Sequence, residues 1–125
     1  SQFLPPLDSS VNLAEYAAKI RRHAVTFEVW EGERLIGLVA AYFNNERVSE
    51  GFITHACVLS GYVAMGIGSR LMQSVVNYGM DNGFSLIELQ VHCDNQAAIA
   101  LYHKFSFDIV QTLESDGKFV MIRKL

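Results

Sequence analysis

Two glycines, Gly66 and Gly68, stand where an apolar segment at 52–59 empties through Ser60-Gly61-Tyr62 into an amphipathic stretch. The chemistry that such a pair supports is anion binding. The first four amide N–H groups of a helix have no partner within the helix, and the macrodipole adds roughly half a positive charge at the same end. Glycine there removes the Cβ atoms that would hold a phosphate away from the backbone. The competing reading is a glycine turn that only lets the helix pack closely on a strand.

Further along, Asn95 precedes a short helical pattern as a candidate N-cap, and Tyr102 follows with Leu101 and Phe105. That group reads either as a buried stripe or as a phenol placed for proton transfer. His23 and His103 fall on helical segments and read as surface residues. His55 and His92 fall on strand segments, where an imidazole could take a proton from an ammonium directly or through water, or serve as a hydrogen-bonded structural residue. Cys57 and Cys93 lie in expected strands with no Cys-x-x-Cys or Cys/His ligand spacing, so they read as small buried thiols, and no metal site is expected.

The elements that must position these residues alternate. A helix is expected at 12–23 with Leu13, Ala17 and Ile20 on one stripe, capped by Ser10 or Asn12. Strands at 26–30 and 35–43 flank a hairpin turn at 31–34, and a polar loop at 44–51 leads to a continuous apolar strand at 52–59, as in a strand covered on both faces. The second helix, at 66–81, carries Ile67, Leu71, Val75 and Tyr78 at helical spacing and stops at Asn82-Gly83. A strand at 86–92, a helix at 95–104 and strands at 107–113 and 119–125 around Ser115-Asp116-Gly117-Lys118 complete the order. This order predicts an α/β fold, a mixed sheet with helices on its faces and right-handed crossovers.

With 125 residues, half of them hydrophobic, the chain suits one domain over 1–125. Its formal charge of −3 and pI near 5.7 supply no global basic field, so no nucleic-acid or anionic-membrane partner is expected. Apolar runs fall well short of the roughly 20 residues that span a bilayer, no secretory pattern opens the chain, and the expected location is cytoplasmic. Ser1 in place of an initiator Met suggests processing or removal upstream.

The stretch Cys57-Val58-Leu59-Ser60-Gly61-Tyr62-Val63-Ala64-Met65-Gly66-Ile67-Gly68-Ser69-Arg70-Leu71 resembles the acetyl-CoA motif of the GNAT (Gcn5-related) N-acetyltransferases. The stretch from Val91 to Phe107, with Asn95, Ala97-Ala98, Leu101-Tyr102 and Phe105, resembles the later motif of the same family. The two motifs stand in the right order, and the element order agrees from residue 12 to the C-terminus. The resemblance implies a GNAT-like mixed central sheet, antiparallel at its ends, with a splayed parallel strand pair in the middle and helices on both faces. It implies acetyl-CoA as cosubstrate and direct transfer of acetyl to a primary amine without an acyl-enzyme. Ala56, Cys57 and Val58 would bond the pantetheine arm edge to edge. The amides of Ala64, Met65, Gly66, Ile67, Gly68 and Ser69 would hold the pyrophosphate. Asn95 would bond the pantetheine or help splay the strands, and Tyr102 would contact the cosubstrate and protonate the departing sulfur.

The sequence departs from the family pattern at several positions. Val63 stands where Arg or Gln is usual, with Ala64 and Met65 after it, so side-chain charge near the phosphates is missing. Gln90 stands where some relatives carry a glutamate base, Glu88 lies two residues earlier on the same face, and Ser106 replaces a usual Gly. The general base is therefore unassigned, and residues 3–7 are the candidate remnant of a first strand. The acceptor amine is unknown, and a homodimer stays open. The alternative of a different class is an acyl-CoA-binding or regulatory module with weak catalysis. A dinucleotide-binding domain fits less well, because Leu71 occupies the third glycine position of Gly-x-Gly-x-x-Gly.

Overall fold

A computed structural model describes residues 10–45, 49–63 and 65–125, with the side chains of 10–12, 44 and 45 outside the description. Elements follow in the order α1 (Ser10–Ile20), β1 (Val25–Glu31), β2 (Arg34–Asn45), β3 (Glu50–Val58), α2 (Ile67–Asp81), β4 (Leu86–His92), α3 (Gln96–Lys104), β5 (Asp108–Leu113) and β6 (Lys118–Lys124). The strands form one sheet in the order β1-β2-β3-β4-β6-β5, in which β3 and β4 are parallel and every other pair is antiparallel. The mixed sheet that the element order predicts is therefore present, with the central parallel pair that the resemblance implies.

Helix α1 packs on β2 through Leu13 and Ala17, both fully buried. Helix α2 covers the opposite face, where a Cβ placed on Gly37 of β2 would meet Ile67 and Leu71. The expected α2 stripe is present, with Met72, Val76 and Gly79 added to it, since the core continues from the sheet to α3 beside α2. Phe43, Tyr78 and Phe84 interlock where α2 returns to β4, with ring centroids 4.8 and 4.9 Å apart from Phe43.

Three expectations shift. Helix α1 ends at Ile20, because the Ile20 carbonyl accepts from both His23 (2.9 Å) and Ala24 (2.9 Å) as the chain turns into β1; His23 lies in that turn. Within the loop expected at 44–51, residues 44–45 and 50–51 are strand, with Asn45 paired to Glu50, and 46–48 lie outside the described residues; polarity alone does not report backbone conformation. Cys93 lies just past β4 in a turn, its amide bonded to the Gly117 carbonyl at 2.9 Å, and only Cys57 is a buried thiol of a strand. The caps sought at Ser10 and Asn12, and the strand remnant at 3–7, lie outside the described residues or side chains.

Glu28 of β1 ties down the chain just after α1. Arg21 grips it with two bonds (Nε to Oε2, 2.9 Å; Nη2 to Oε1, 2.7 Å), and Thr26 and Trp30 donate at 2.7 and 3.0 Å. These bonds, the Arg21 guanidinium first among them, hold the carboxyl down at about 2. A carboxylate whose folded pKa lies below its unfolded value stabilises fully above about pH 4.5, and that stabilisation is lost as pH falls through the folded value. Glu28→Gln should therefore flatten the dependence of melting temperature on pH between about 4.5 and 2, as read by circular dichroism.

Ser106 holds the left-handed conformation at φ +67° in the turn after α3, where its amide bonds the His103 carbonyl at 2.9 Å. A side chain there crowds the following carbonyl. Ser106→Gly should raise stability by about 0.5–1 kcal/mol in urea unfolding, after the added chain entropy of glycine is subtracted.

Candidate functional site

The pairing of β3 with β4 runs only from Glu50–Leu86 to Ile53–Leu89. Beyond Ile53 the two strands part: β3 stays on β2 as far as Val58, while β4 stays on β6 as far as His92. At the parting point β3 carries a bulge, because Ala40 faces His55 and Ala41 faces Ile53, leaving Thr54 as the extra residue. A bulge bends its strand and re-aims neighbouring side chains. The Thr54 hydroxyl closes it by donating to the Ala40 carbonyl at 3.2 Å. Ala56, Cys57 and Val58 follow, all buried, on the stretch of β3 that has left β4.

The chain then turns toward α2 through a short 3₁₀ segment, Ser60–Tyr62. Leu59 donates to the Ile36 carbonyl at 2.9 Å, and the Tyr62 hydroxyl donates to Glu31 Oε1 at 2.7 Å, so the β1–β2 hairpin holds the turn from below. Gly66 is the N-cap of α2 in the left-handed region (φ +76°), which glycine adopts without strain, and no side chain caps the first turn. Met65 is exposed, Ile67 is buried against β2, and Ala64 lies outside the described residues. Val63 supplies no charge here, but Lys104 at the end of α3 does. Its Nζ donates to Ser69 Oγ in the first turn of α2 at 3.1 Å. Sequence reading missed Lys104, because it stands far along the chain and meets α2 only through the packing of α2 on α3.

Asn95 is the N-cap of α3, its Oδ1 accepting from the Ala98 amide at 3.2 Å. Tyr102 is 2% exposed, its ring tilted against Phe107 at 6.0 Å between centroids, and burial pushes its phenol well above the usual tyrosine value. Its carbonyl accepts from the amides of both Phe105 and Phe107, each at 3.0 Å, which shapes the turn after α3. His103 is an exposed helix residue as expected, with Nδ1 bonded to the Phe107 carbonyl at 2.9 Å.

Where β3 and β4 part, on the side covered by α1, lies a cavity of about 430 Å³. Tyr16 of α1, Thr54 and His55 of β3, Gln90 and His92 of β4 and Lys118 of β6 supply its polar lining; Glu88, Asn95 and Tyr102 are not part of it. The structure thus brings His55 and His92 to one space, which their separate positions on the chain do not reveal. Burial lowers the His55 pKa below the ordinary imidazole value, so this ring is neutral at pH 7. Sequence reading also missed Tyr16, although its place three residues after Leu13 on the α1 stripe was a usable signal. Among the described residues no cluster of His, Cys, Asp or Glu has the arrangement to hold a metal ion.

Residues 2–107 match the family model of the Acetyltransferase (GNAT) family, and the chain belongs to that family. It is similar to the "Probable N-acetyltransferase san" of Drosophila melanogaster, 34% identical over 82 residues, which are 64% of this chain and 45% of that protein. It is also similar to "N-alpha-acetyltransferase 50" of Danio rerio, 38% identical over 55 residues, 43% of this chain and 33% of that protein. The chain thus spans less than half the length of either relative. In fold it resembles the PaiA N-acetyltransferase of Thermoplasma acidophilum, solved in complex with coenzyme A, at a TM-score of 0.76 and 17% identity, covering 92% of this chain and 70% of that one.

Asn95 provides a direct check on how much of its work is capping. Asn95→Ala should cost about 0.5–2 kcal/mol in urea unfolding and Asn95→Ser only a few tenths, since serine caps comparably. An Asn95→Ser protein that keeps its stability but binds acetyl-CoA more weakly in calorimetry would reveal a second task for the amide.

Proposed function

We propose that this protein transfers the acetyl group of acetyl-CoA directly to a primary amine of a small molecule or protein. One observation carries the reading: parallel strands that pair for four residues and then part beside an uncapped helix N-terminus, the arrangement that would receive a thioester arm and its pyrophosphate together. Acetyl-CoA supplies an activated acyl carbon for an amine to attack. The stretch of β3 that has left β4, at Ala56, Cys57 and Val58, would bond the pantetheine as a further strand would. The amides of Ala64, Met65, Gly66, Ile67, Gly68 and Ser69 would hold the pyrophosphate, with the Lys104 ammonium offsetting part of the charge that Val63 does not provide. Asn95 would bond the pantetheine from the head of α3. By the resemblance, Tyr102 would give its proton to the departing sulfur; burial keeps the phenol protonated and also makes it a weaker acid than a free tyrosine.

The 430 Å³ cavity is the natural acceptor pocket, being the space beside the parted strands with polar side chains converging on it. The single-domain reading rests on one sheet and one continuous core among the described residues. A homodimer finds support in edge strand β5, where Ile109 and Val110 are exposed, and light scattering reads it. The cytoplasmic assignment remains an inference from the sequence.

Calorimetry should detect acetyl-CoA binding. Gly68→Val should abolish it in a folded protein, and Lys104→Ala should weaken it about 5- to 50-fold, the loss of one charge-assisted contact. Tyr102→Phe should lower kcat by about 10²- to 10⁴-fold with acetyl-CoA affinity retained. Unchanged kcat with a lower melting temperature would make Tyr102 a packing residue and leave the departing sulfur to take its proton from water. Tight acetyl-CoA binding without thiol release for any amine in a broad screen would favour the binding-module alternative.

A further inference from the structure

The bulge that parts β3 from β4 also fixes a chain of hydrogen bonds with a defined direction. The Thr54 hydroxyl spends its one proton on the Ala40 carbonyl (3.2 Å), so toward His55 Nδ1, 3.3 Å away, it can only accept. This direction favours the imidazole proton on Nδ1, with Nε2 as a bare acceptor. The Tyr16 hydroxyl lies in short hydrogen-bond contact with Nε2, and its ring meets the imidazole edge-on at 4.8 Å between centroids. With its proton committed to His55, the Tyr16 oxygen keeps acceptor capacity, and both residues line the cavity.

We propose that Tyr16 and His55 form the proton relay that serves the acceptor amine, with Tyr16 the catalytic residue and His55 the sink behind it. This rests on the acetyl-transfer reading and supplies the general base that the sequence leaves unassigned. As the amine lone pair bonds the acyl carbon and the carbon–sulfur bond breaks, the nitrogen becomes acidic. Its N–H proton passes to the Tyr16 oxygen while the Tyr16 hydroxyl proton passes to His55 Nε2. The Tyr16 side chain ends neutral, the nitrogen ends as a neutral amide, and the one positive charge gained by the imidazole balances the negative charge that leaves on sulfur and passes to Tyr102 when its phenol protonates that sulfur; solvent then returns the proton to Tyr102. The imidazolium then returns its proton to solvent.

Burial lowers the His55 pKa and raises that of Tyr16, with Tyr42 adding to the latter, so both are neutral at pH 7 as the relay requires. The groups around the pair are Thr54 on β3, Gln90 and His92 on β4, Lys118 on β6 and Tyr42 on β2. Among the described residues that line the cavity, none is a carboxylate that could take the proton in place of His55.

The test combines a structural and a kinetic readout. In ¹⁵N spectra of the intact protein without ligand, neutral His55 should carry its proton on Nδ1. Thr54→Val should transfer part of the population to the Nε2–H tautomer, and Tyr16→Phe should move the Nε2 resonance downfield as its hydrogen bond is lost. With acetyl-CoA and benzylamine as acceptor probe, log kcat/KM should rise with a slope of about two below the His55 ionisation and about one above it, because amine and imidazole must both be unprotonated. His55→Gln should show a slope of about one throughout. It and Tyr16→Phe should each lose about 10²- to 10³-fold in kcat/KM, the double variant losing no more than either single, as expected of groups acting as a unit. His55 protonated on Nε2 in the wild type, or a His55→Gln profile that keeps the steeper limb, would overturn the relay. Calorimetric binding of acetyl-CoA separates the two ideas: a wild type that does not bind it fails the acetyl-transfer reading, whereas binding with full turnover in Tyr16→Phe fails the relay alone. If benzylamine is not turned over, the tautomer decides.

Discussion

The short pairing between β3 and β4 is the constraint on which the rest of the site depends. Parallel strands in a sheet normally stay together, because each unpaired amide or carbonyl left in the interior costs free energy. Here they pair from Glu50–Leu86 to Ile53–Leu89 and then separate. The separation is sustained from both sides: β2 keeps β3 up to Val58, and β6 keeps β4 up to His92. Extra residue Thr54 turns β3 away at that point and satisfies its own hydroxyl on the Ala40 carbonyl.

From that divergence follow two openings on opposite sides of one sheet. On the side of α2, the strand edge leads through a turn held by Glu31 and Ile36 to a helix N-terminus with no side-chain cap. On the side of α1, the gap between the strands becomes a cavity into which two imidazoles, a phenol and an ammonium group are gathered from four elements. On the proposed reading, the first opening receives the acyl donor and the second the amine, so the reacting atoms meet where the sheet is split. The helices have different duties. Helix α2, buried along one stripe, supplies the rigid end, while α1, tied at its exit by Arg21 on Glu28, supplies the wall of the acceptor side.

On the proposed reading, a functional group need not be close in sequence to the motif it serves. Lys104 reaches Ser69, and Tyr16 reaches His55, across 35 and 39 residues. Both contacts depend on helix packing. On the proposed reading, the departures at Val63 and Gln90 are met by groups that enter from elements outside the motif.

The sequence alone determined a large share of this protein. Apolar periodicity of 3.6 and runs of β-branched and aromatic residues report burial directly, so α1, α2, α3 and six strands were legible to within a few residues, as were the Asn95 cap and the left-handed stop of α2 at Gly83. Polarity reports exposure, which is why the strand ends at Asn45 and Glu50 read as loop and the turn at Cys93 read as strand. The α2 N-terminus was legible because its residues are contiguous. Only the tertiary structure decided which side chains face one another: the register of β2 on β3 sets the bulge at Thr54, the packing of α1 on β2 sets Tyr16 against His55, and the docking of α3 beside α2 brings Lys104 to the glycine turn. Such contacts depend on register and helix placement summed over the whole core, and no local pattern in the chain encodes them.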